Sequence, residues 1–207
     1  MEPIEQGSLE WFSMRCGKVT ASKVADVMSK GKGSAESAGV RNYRAQLVVE
    51  RLTGTREETY TNGAMQRGTD LEPLARECYE FLKGVAVDQV AFVDHPLIPM
   101  SGASPDGLVG EDGLVEIKCP NTATHIDYIF AGVPPSDYIK QMMWQMACTG
   151  RKWCDFVSYD PRLPEEMQLF VVRLMRDDAM ISEMESAVIA FNRSVETMIA
   201  ELKRLRT

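Results

Sequence analysis

Long apolar runs are missing from this 207-residue chain. No stretch approaches the roughly 18–20 apolar residues that a bilayer-spanning helix requires. Residues 1–6 include two acids and lack the apolar segment of a secretory signal. We therefore expect a cytoplasmic protein that has no membrane partner.

Disulfide and metal-binding patterns are also missing. The five cysteines are odd in number and scattered, and no two of them show the CxxC spacing of a zinc site. We expect free thiols in a reducing compartment. The only two histidines, His95 and His125, have no evident partner in the sequence. We interpret both as loop or surface residues, so any hydrolytic chemistry must rest on other side chains.

The chain lacks an overall positive charge as well. Its formal net charge of −7 argues against a polyanionic partner. The charge is unevenly distributed, however, because residues 11–56 carry nine Lys and Arg against three acids. That segment has a net charge of +6 and the remainder has −13. A basic segment is usually a solvated helical face, but this one leaves a local basic surface that can bind an anion.

The sequence does contain the composition of a protein with a core, 44% hydrophobic and 26% charged residues. We predict a single α/β (α+β) domain over residues 1–207, with its core at about 11–175 and a helical C-terminal segment at 177–206. Apolar spacing predicts helices near residues 20–28, 40–52, 70–82, 122–131, 136–149 and 177–206. Short apolar stretches predict strands near residues 85–93, 106–109, 114–117, 152–159 and 167–176. Pro73 favours a helix start near Asp70, because proline is tolerated in the first turn.

A candidate site lies in the predicted hairpin. Glu116 and Lys118 are two residues apart in a strand, so they project to the same side, and Ile117 projects into a core. Asp106 begins the preceding strand and can lie beside Glu116. Paired carboxylates suit Mg²⁺ or Mn²⁺, and the carbonyl of Ile117 can supply a further oxygen. The alternative is a surface ion pair between Glu116 and Lys118, which would contribute little.

These residues resemble the PD-(D/E)xK nuclease superfamily. Reading outward, the chain is similar to phage lambda-type 5′→3′ exonucleases, the viral recombinase nucleases, in six blocks that occur in the same order. The blocks are Trp11–Ser22, Arg67–Arg76, Ser104–Gly107, Glu116–Pro120, Tyr138–Gln141 and Tyr159–Arg162. The resemblance implies a restriction-endonuclease-like core, with a central mixed sheet flanked by helices.

The resemblance also implies roles for individual residues of the hairpin and its neighbours. Asp106 and Glu116 would bind the metal, and Lys118 would be the catalytic lysine. Glu72 would add a carboxylate, although by itself it is only an acid in the first turn of a helix. Gln141 would lie beside the active site, although a glutamine at the edge of the core is nearly as good an interpretation of the sequence alone.

A phosphate-binding role is implied for the basic segment. Arg15 would hold the terminal 5′-phosphate, with Ser22 contributing at a helix N-terminus. Lys32 would follow the DNA backbone. An exposed Arg15 that pairs with Glu10 or Asp26 is the alternative.

The function that the resemblance implies is a metal-dependent 5′→3′ exodeoxyribonuclease. It would digest one strand from double-stranded DNA ends and leave 3′ single-stranded overhangs for homologous recombination by single-strand annealing. The expected cofactor is Mg²⁺, with Mn²⁺ as a substitute, bound as two ions. The expected partners are a homotrimeric ring of the chain and a single-strand annealing protein, in a bacterial or phage-infected cell.

Two alternatives of other classes stay open. One is another PD-(D/E)xK nuclease, either an endonuclease or a RecB-like enzyme. The other is a catalytically silent DNA-binding protein of the same fold, against which the intact set of Asp106, Glu116 and Lys118 argues.

Overall fold

The structure is a computed structural model, and it describes residues 4–31, 35–56 and 63–205. The helices in these ranges are α1 (Leu9–Arg15), α2 (Val24–Val27), α3 (Ala38–Thr53), α4 (Gly63–Lys83), α5 (Thr122–Ala131), α6 (Ser136–Thr149), α7 (Glu165–Gln168) and α8 (Asp178–Arg204). The strands are β1 (Val19–Thr20), β2 (Val87–Asp88), β3 (Val93–Asp94), β4 (Ser101–Ala103), β5 (Gly107–Val109), β6 (Gly113–Lys118), β7 (Trp153–Tyr159) and β8 (Leu169–Met175). A 3₁₀ helix, Ala21–Lys23, joins β1 to α2.

A five-stranded mixed sheet forms the centre, with the order β2-β5-β6-β7-β8. β6 and β7 are parallel, and the other neighbouring pairs are antiparallel. A smaller sheet has the order β1-β4-β3, and in it Val19 pairs in parallel with Ser101. The predicted mixed sheet with flanking helices is therefore confirmed.

The central strand β6 presents its residues alternately to two cores. Val115 and Ile117 pack with Ala75 of α4. Leu114 belongs to the larger core, which includes buried residues of α3, α6 and α8. Glu116 lies on the same side of the strand as Leu114, so the alternation directs it toward α6.

Several elements differ from the prediction, and α1, β1, β4 and α7 were not predicted. α4 begins at Gly63 rather than near Asp70, so Pro73 lies inside the helix and not in its first turn. Proline removes one hydrogen bond from a helix, and the packing of Ala75 against the sheet offsets that loss. Residues 85–93 contain two short strands that belong to different sheets, rather than a single strand.

Other elements follow the prediction closely. α5 and α6 have the predicted bounds, and β7 begins one residue late. The C-terminal segment is one continuous helix, α8, whose buried face lies against α2, α3 and α6. No helix in the described ranges is long and apolar enough to cross a membrane. The five cysteines are free, and Cys148 and Cys154 lie in the core.

Both histidines are buried, so neither is a surface residue, although His95 does lie in a loop as predicted. His95 lies in the loop after β3, is 6% exposed, and accepts the N–H groups of Leu97 and Ile98 at its Nδ1 atom, at 3.3 and 3.1 Å. His125 is fully buried in α5, and its Nδ1 atom lies 2.7 Å from the hydroxyl of Ser158. Hydrogen bonds of this kind let an imidazole occupy a core, and the partners of His125 lie too far along the sequence to be recognised from it.

The burial of His95 predicts acid sensitivity. Burial lowers its pKa, although Glu185 acts in the opposite direction. The unfolded chain therefore binds a proton more readily than the folded one, and stability falls as the pH drops below the unfolded value of about 6.5. We expect the thermal midpoint of the wild-type protein to fall relative to that of His95→Gln as the pH drops from about 7 to about 5. Equal slopes for the two proteins, measured by circular dichroism, would contradict the prediction.

Candidate active site

The hairpin of β5 and β6 brings the predicted acids together. Gly107 pairs with Val115 across the hairpin, so the preceding residue, Asp106, lies beside Glu116. The N–H group of Ile117 donates to Oδ2 of Asp106 at 2.7 Å, which fixes the aspartate against the strand. The predicted juxtaposition of Asp106 and Glu116 is therefore present in the fold.

Glu116 is fully buried and strongly hydrogen-bonded. Its Oε1 atom contacts the Lys118 ammonium and accepts from Nε2 of Gln141 at 2.6 Å. Its Oε2 atom accepts from Nε2 of Gln145 at 2.5 Å. The pair of Glu116 and Lys118 is thus not a surface ion pair. The sequence pointed to Gln141 but not to Gln145, whose neighbours are the core residues Met142, Met143 and Met146.

The site holds an excess of negative charge. Burial raises the pKa of Asp106 well above its usual value, and the nearby Glu116 raises it further. Burial also raises the pKa of Glu72, although its partner Arg76, 2.7 Å away, acts in the opposite direction. Burial by itself would lower the pKa of Lys118, but Glu116 and Asp106 outweigh it and raise that pKa above its usual value. The carboxyl groups of Asp106, Glu116 and Glu72 therefore all interact with Lys118, and Glu72 also pairs with Arg76.

The donor chemistry of this site fits a hard divalent cation, because crowded carboxylates are relieved by a metal charge and offer oxygen ligands. Asp106 and Glu116 are the residues in position to hold it. Glu72 interacts with both of them electrostatically. Across the described residues, no three His, Cys, Asp or Glu side chains already converge as a metal cluster. To bind a metal directly, the carboxylate of Glu72 must first separate from Arg76.

A basic pocket lies next to this site. Its volume is about 140 Å³, and its lining includes Arg15, Lys18, Lys23 and Arg56. The guanidinium of Arg15 stacks 4.2 Å from the ring centre of Trp11, and burial and then the charge of Arg56 lower its pKa to about 10. Cations that repel one another in a partly buried pocket favour binding of an anion.

Arg15 is oriented toward the hairpin. Its Nη1 atom donates to the hydroxyl of Ser104 at 2.9 Å, and Ser104 precedes Asp106 by two residues. Asp26, one of the two alternative partners, instead accepts from Lys23 at 2.9 Å. The basic pocket and the acidic site are therefore neighbours joined through one short segment of chain.

Of the two other residues predicted to contact phosphate, one lies at the basic pocket and the other lies outside the described residues. Ser22 is exposed, lines the same pocket, and lies 3.4 Å from the hydroxyl of Thr20. Lys32 lies outside the described residues. Glu50 is nearly fully buried at the pocket and accepts from the backbone of Gly17 at 2.7 Å. The sequence did not single out Glu50, because it occupies an ordinary helical position.

A comparison with protein-family models decides what kind of protein this is. Residues 10–152 match the model of the YqaJ-like viral recombinase domain. The chain belongs to the YqaJ-like viral recombinase family. A search of curated proteins found no match.

Solved structures agree with membership of the YqaJ-like family. The alkaline exonuclease LHK-Exo from Laribacter hongkongensis is 57% identical, with 96% of this chain and 98% of that chain covered and a TM-score of 0.90. The structure of LHK-Exo in complex with dAMP has the same identity and coverage and a TM-score of 0.91. A phage-related exonuclease from Haemophilus somnus 129PT, 17% identical over 89% of this chain and 96% of that chain, shares the fold with a TM-score of 0.73. The predicted PD-(D/E)xK fold and the resemblance to lambda-type exonucleases are confirmed.

A cluster centred on Asp160, a residue beyond the range that matches the YqaJ-like model, connects elements around the site. Asp160, at the end of β7, is fully buried and accepts from Thr122 at 2.6 Å, from Arg162 at 2.8 Å and from Arg67 at 3.3 Å. Although burial opposes ionisation, these hydrogen bonds hold the pKa of Asp160 below its usual value. Arg67 also donates to the carbonyl of Pro120 at 3.0 Å. The cluster fixes α4 and α5 to the end of the hairpin strand.

Proposed function

We propose that the chain is a divalent-metal-dependent exodeoxyribonuclease that degrades one strand of duplex DNA from its 5′ end. One observation carries the proposal. The buried Glu116 and the half-buried Lys118 and Asp106 adjoin a cationic pocket, and the hydroxyl of Ser104 accepts a hydrogen bond from Arg15 of that pocket. A pocket that binds a terminal phosphate next to a hydrolytic site is the arrangement that an end-dependent nuclease needs.

The acidic half of this arrangement would hold the metal. Asp106, Glu116, the carbonyl of Ile117 and Glu72 are the proposed ligands, for Mg²⁺ or Mn²⁺ and for two ions when Glu72 takes part. When bound, the metal would supply Lewis-acid polarisation of the scissile phosphate and lower the pKa of the attacking water. The carboxylates repel one another without the metal, so binding of the cation would also reduce this electrostatic repulsion.

The chain's own groups supply positioning and charge. The ammonium of Lys118 lies beside Glu116, where it can donate to a phosphate oxygen and orient the water. Gln141 holds the Glu116 carboxylate. Arg15 would form a bidentate contact with the terminal 5′-phosphate, assisted by Ser22. Lys32 would follow the DNA backbone.

The biological setting of the proposal comes from the relatives. LHK-Exo is an alkaline exonuclease and binds dAMP, a mononucleotide that fits the expected product of digestion one nucleotide at a time. By likeness to lambda-type enzymes, we propose a homotrimeric ring around DNA and a single-strand annealing partner. The product would be a duplex with 3′ overhangs for recombination in a bacterial or phage-infected cell.

Digestion of end-labelled linear duplex DNA tests the proposal. We expect hydrolysis in Mg²⁺ and none in EDTA, with 5′-phosphorylated ends degraded faster than 5′-hydroxyl ends. Label at a 5′ end should be released at the start of digestion, whereas label at a 3′ end should stay attached to a strand that shortens from its own 5′ end. Loss of the 3′ label first would contradict the proposed direction.

Closed circular DNA separates the proposal from its alternatives. An end-dependent exonuclease leaves the circle intact, whereas an endonuclease of the same fold opens it. A catalytically silent DNA-binding protein would slow the migration of the linear duplex in a gel but would degrade neither substrate.

A further inference from the structure

Two glutamines of α6 hold the same carboxylate. Gln141 and Gln145 are four residues apart, so they lie on one face of the helix. Nε2 of Gln141 donates to Oε1 of Glu116 at 2.6 Å, and Nε2 of Gln145 donates to Oε2 at 2.5 Å. Lys118 contacts Oε1 as well. Gln145 is thus the side chain that holds the second oxygen of the carboxylate.

Gln145 occupies a position where an apolar residue would be expected. Its side chain is 0% exposed, and Met142, Met143 and Met146 around it are buried core residues. Among the residues that the structure describes, no donor reaches its own carbonyl oxygen, Oε1. A buried acceptor without a partner is unfavourable, and methionine would fill nearly the same volume. The bond to Glu116 is therefore the contact that accounts for a glutamine here.

Holding both oxygens of Glu116 fixes its orientation. The terminal torsion of a glutamate side chain is soft, so a carboxylate held through one oxygen still rotates. An ionised carboxylate has about four lone-pair positions, so an oxygen that accepts from an amide keeps one for a cation.

We propose that Gln145 is a positioning residue that orients the Glu116 carboxylate for a divalent cation. The inference rests on the proposed function, because that function gives Glu116 its cation. Gln145 touches neither the DNA nor the cation in this scheme, and it acts through Glu116 alone.

The test measures binding of Mn²⁺ alone to the full chain, without DNA, by electron paramagnetic resonance of the free ion. Gln145→Met keeps the volume and removes the donor. Replacing a hydrogen-bond partner of a metal ligand typically weakens metal binding about 10–100-fold. We expect the Kd for Mn²⁺ to rise about 10-fold or more in this variant.

A matched control exists elsewhere in the chain. Gln46 donates to Oε1 of the buried Glu50 at 2.8 Å, which is the same kind of contact, made in the basic pocket to a carboxylate that is not a proposed metal ligand. Gln46→Met should leave the Kd for Mn²⁺ unchanged.

Gln145→Leu is the second variant if Gln145→Met does not fold, as judged by circular dichroism. In the unaltered protein, the side-chain amide resonances of Gln145 should shift when Mg²⁺ is added.

The outcomes separate this inference from the proposed function. An unchanged Kd for Mn²⁺ in folded Gln145→Met would overturn the positioning role, and so would Gln145 amide resonances that do not shift when Mg²⁺ is added. Neither result would affect the proposed function if the wild-type chain still digests DNA. Failure of the wild-type chain to bind Mn²⁺ would overturn the metal site and the inference with it. A raised Kd in Gln145→Met together with an unchanged Kd in Gln46→Met supports the inference.

Discussion

Asp106→Asn is expected to abolish DNA hydrolysis while making the metal-free protein more stable at neutral pH. The pKa of Asp106 is raised by burial and by Glu116 and Glu72. A carboxyl group with a raised folded pKa contributes stability that is present below its unfolded pKa and is lost as the pH rises through the folded value. The ionised aspartate therefore opposes folding at neutral pH. Asparagine removes the charge but still accepts the N–H group of Ile117.

The measured changes should be large in activity and modest in stability. We expect the rate of digestion in Mg²⁺ to fall about 10³-fold, since the reaction loses electrostatic stabilisation of its transition state. The thermal midpoint in EDTA should rise by a few degrees, which corresponds to about 1 kcal/mol in a chain of this size.

Lys118→Met should lose activity to the same degree but move the stability in the other direction. Removal of the ammonium leaves the buried Glu116 carboxylate without its cation, and an uncompensated buried charge destabilises a protein. Two variants with equal loss of activity and opposite changes in thermal midpoint would show that unfolding is not the cause of the loss.

Lys152→Met is the control, because Lys152 pairs with Asp112 at 3.0 Å away from the site. It should digest DNA at the wild-type rate. Near-normal digestion by Asp106→Asn or Lys118→Met would remove the site assignment. A lower midpoint for Asp106→Asn would show that the carboxylates are not crowded.

Arg15→Gln is expected to remove the preference for phosphorylated 5′ ends. A charge-assisted bond to phosphate contributes about 1.5–3 kcal/mol, so the ratio of the rates on 5′-phosphate and 5′-hydroxyl ends should fall about 10–100-fold. Arg15 also bonds Ser104, so a general loss of activity is expected in addition. The ratio of the two rates, rather than either rate, is therefore the measurement that tests end recognition.

Arg176→Gln provides the comparison for Arg15. Arg176 is partly buried and bonds Asp178 at 2.6 Å and the carbonyl of Met146 at 2.5 Å, without contact to the basic pocket. Its substitution should leave the ratio of rates unchanged even if stability falls. If Arg15→Gln slows both ends equally, Arg15 supports the structure and does not recognise the end.

The central part of the site was predictable because its geometry is local. The alternation of a strand places Glu116 and Lys118 on one side, and the short hairpin brings Asp106 beside them. The sequence of a helix likewise defines its bounds when caps are present, as at Asn121 and Gly132 of α5.

The remainder depends on contacts between distant segments. β1 and β4 pair only two residues each and are about eighty residues apart, so neither has a local signal. Gln145 has the spacing of a core residue and reaches Glu116 only when α6 packs beside β6. His125 is satisfied by Ser158 and by the carbonyl of Met167, which lie in other elements. His95 is satisfied at Nδ1 within its own loop, but its ring is buried against Trp144 of α6. The net charge of −7 says little about local charge, because the cations of the pocket come together in the fold.

The link between Ser104 and Asp106 has a consequence for the proposed enzyme. Two residues of chain reach no farther than about 7 Å, and Arg15 bonds the hydroxyl of Ser104, so one hydrogen bond and this short segment together set the distance between the proposed phosphate-binding group and Asp106. That distance does not depend on the base being removed. Under the proposed function, every cut would then fall the same number of bonds from the terminus, and fragment length would be a property of the protein rather than of the DNA.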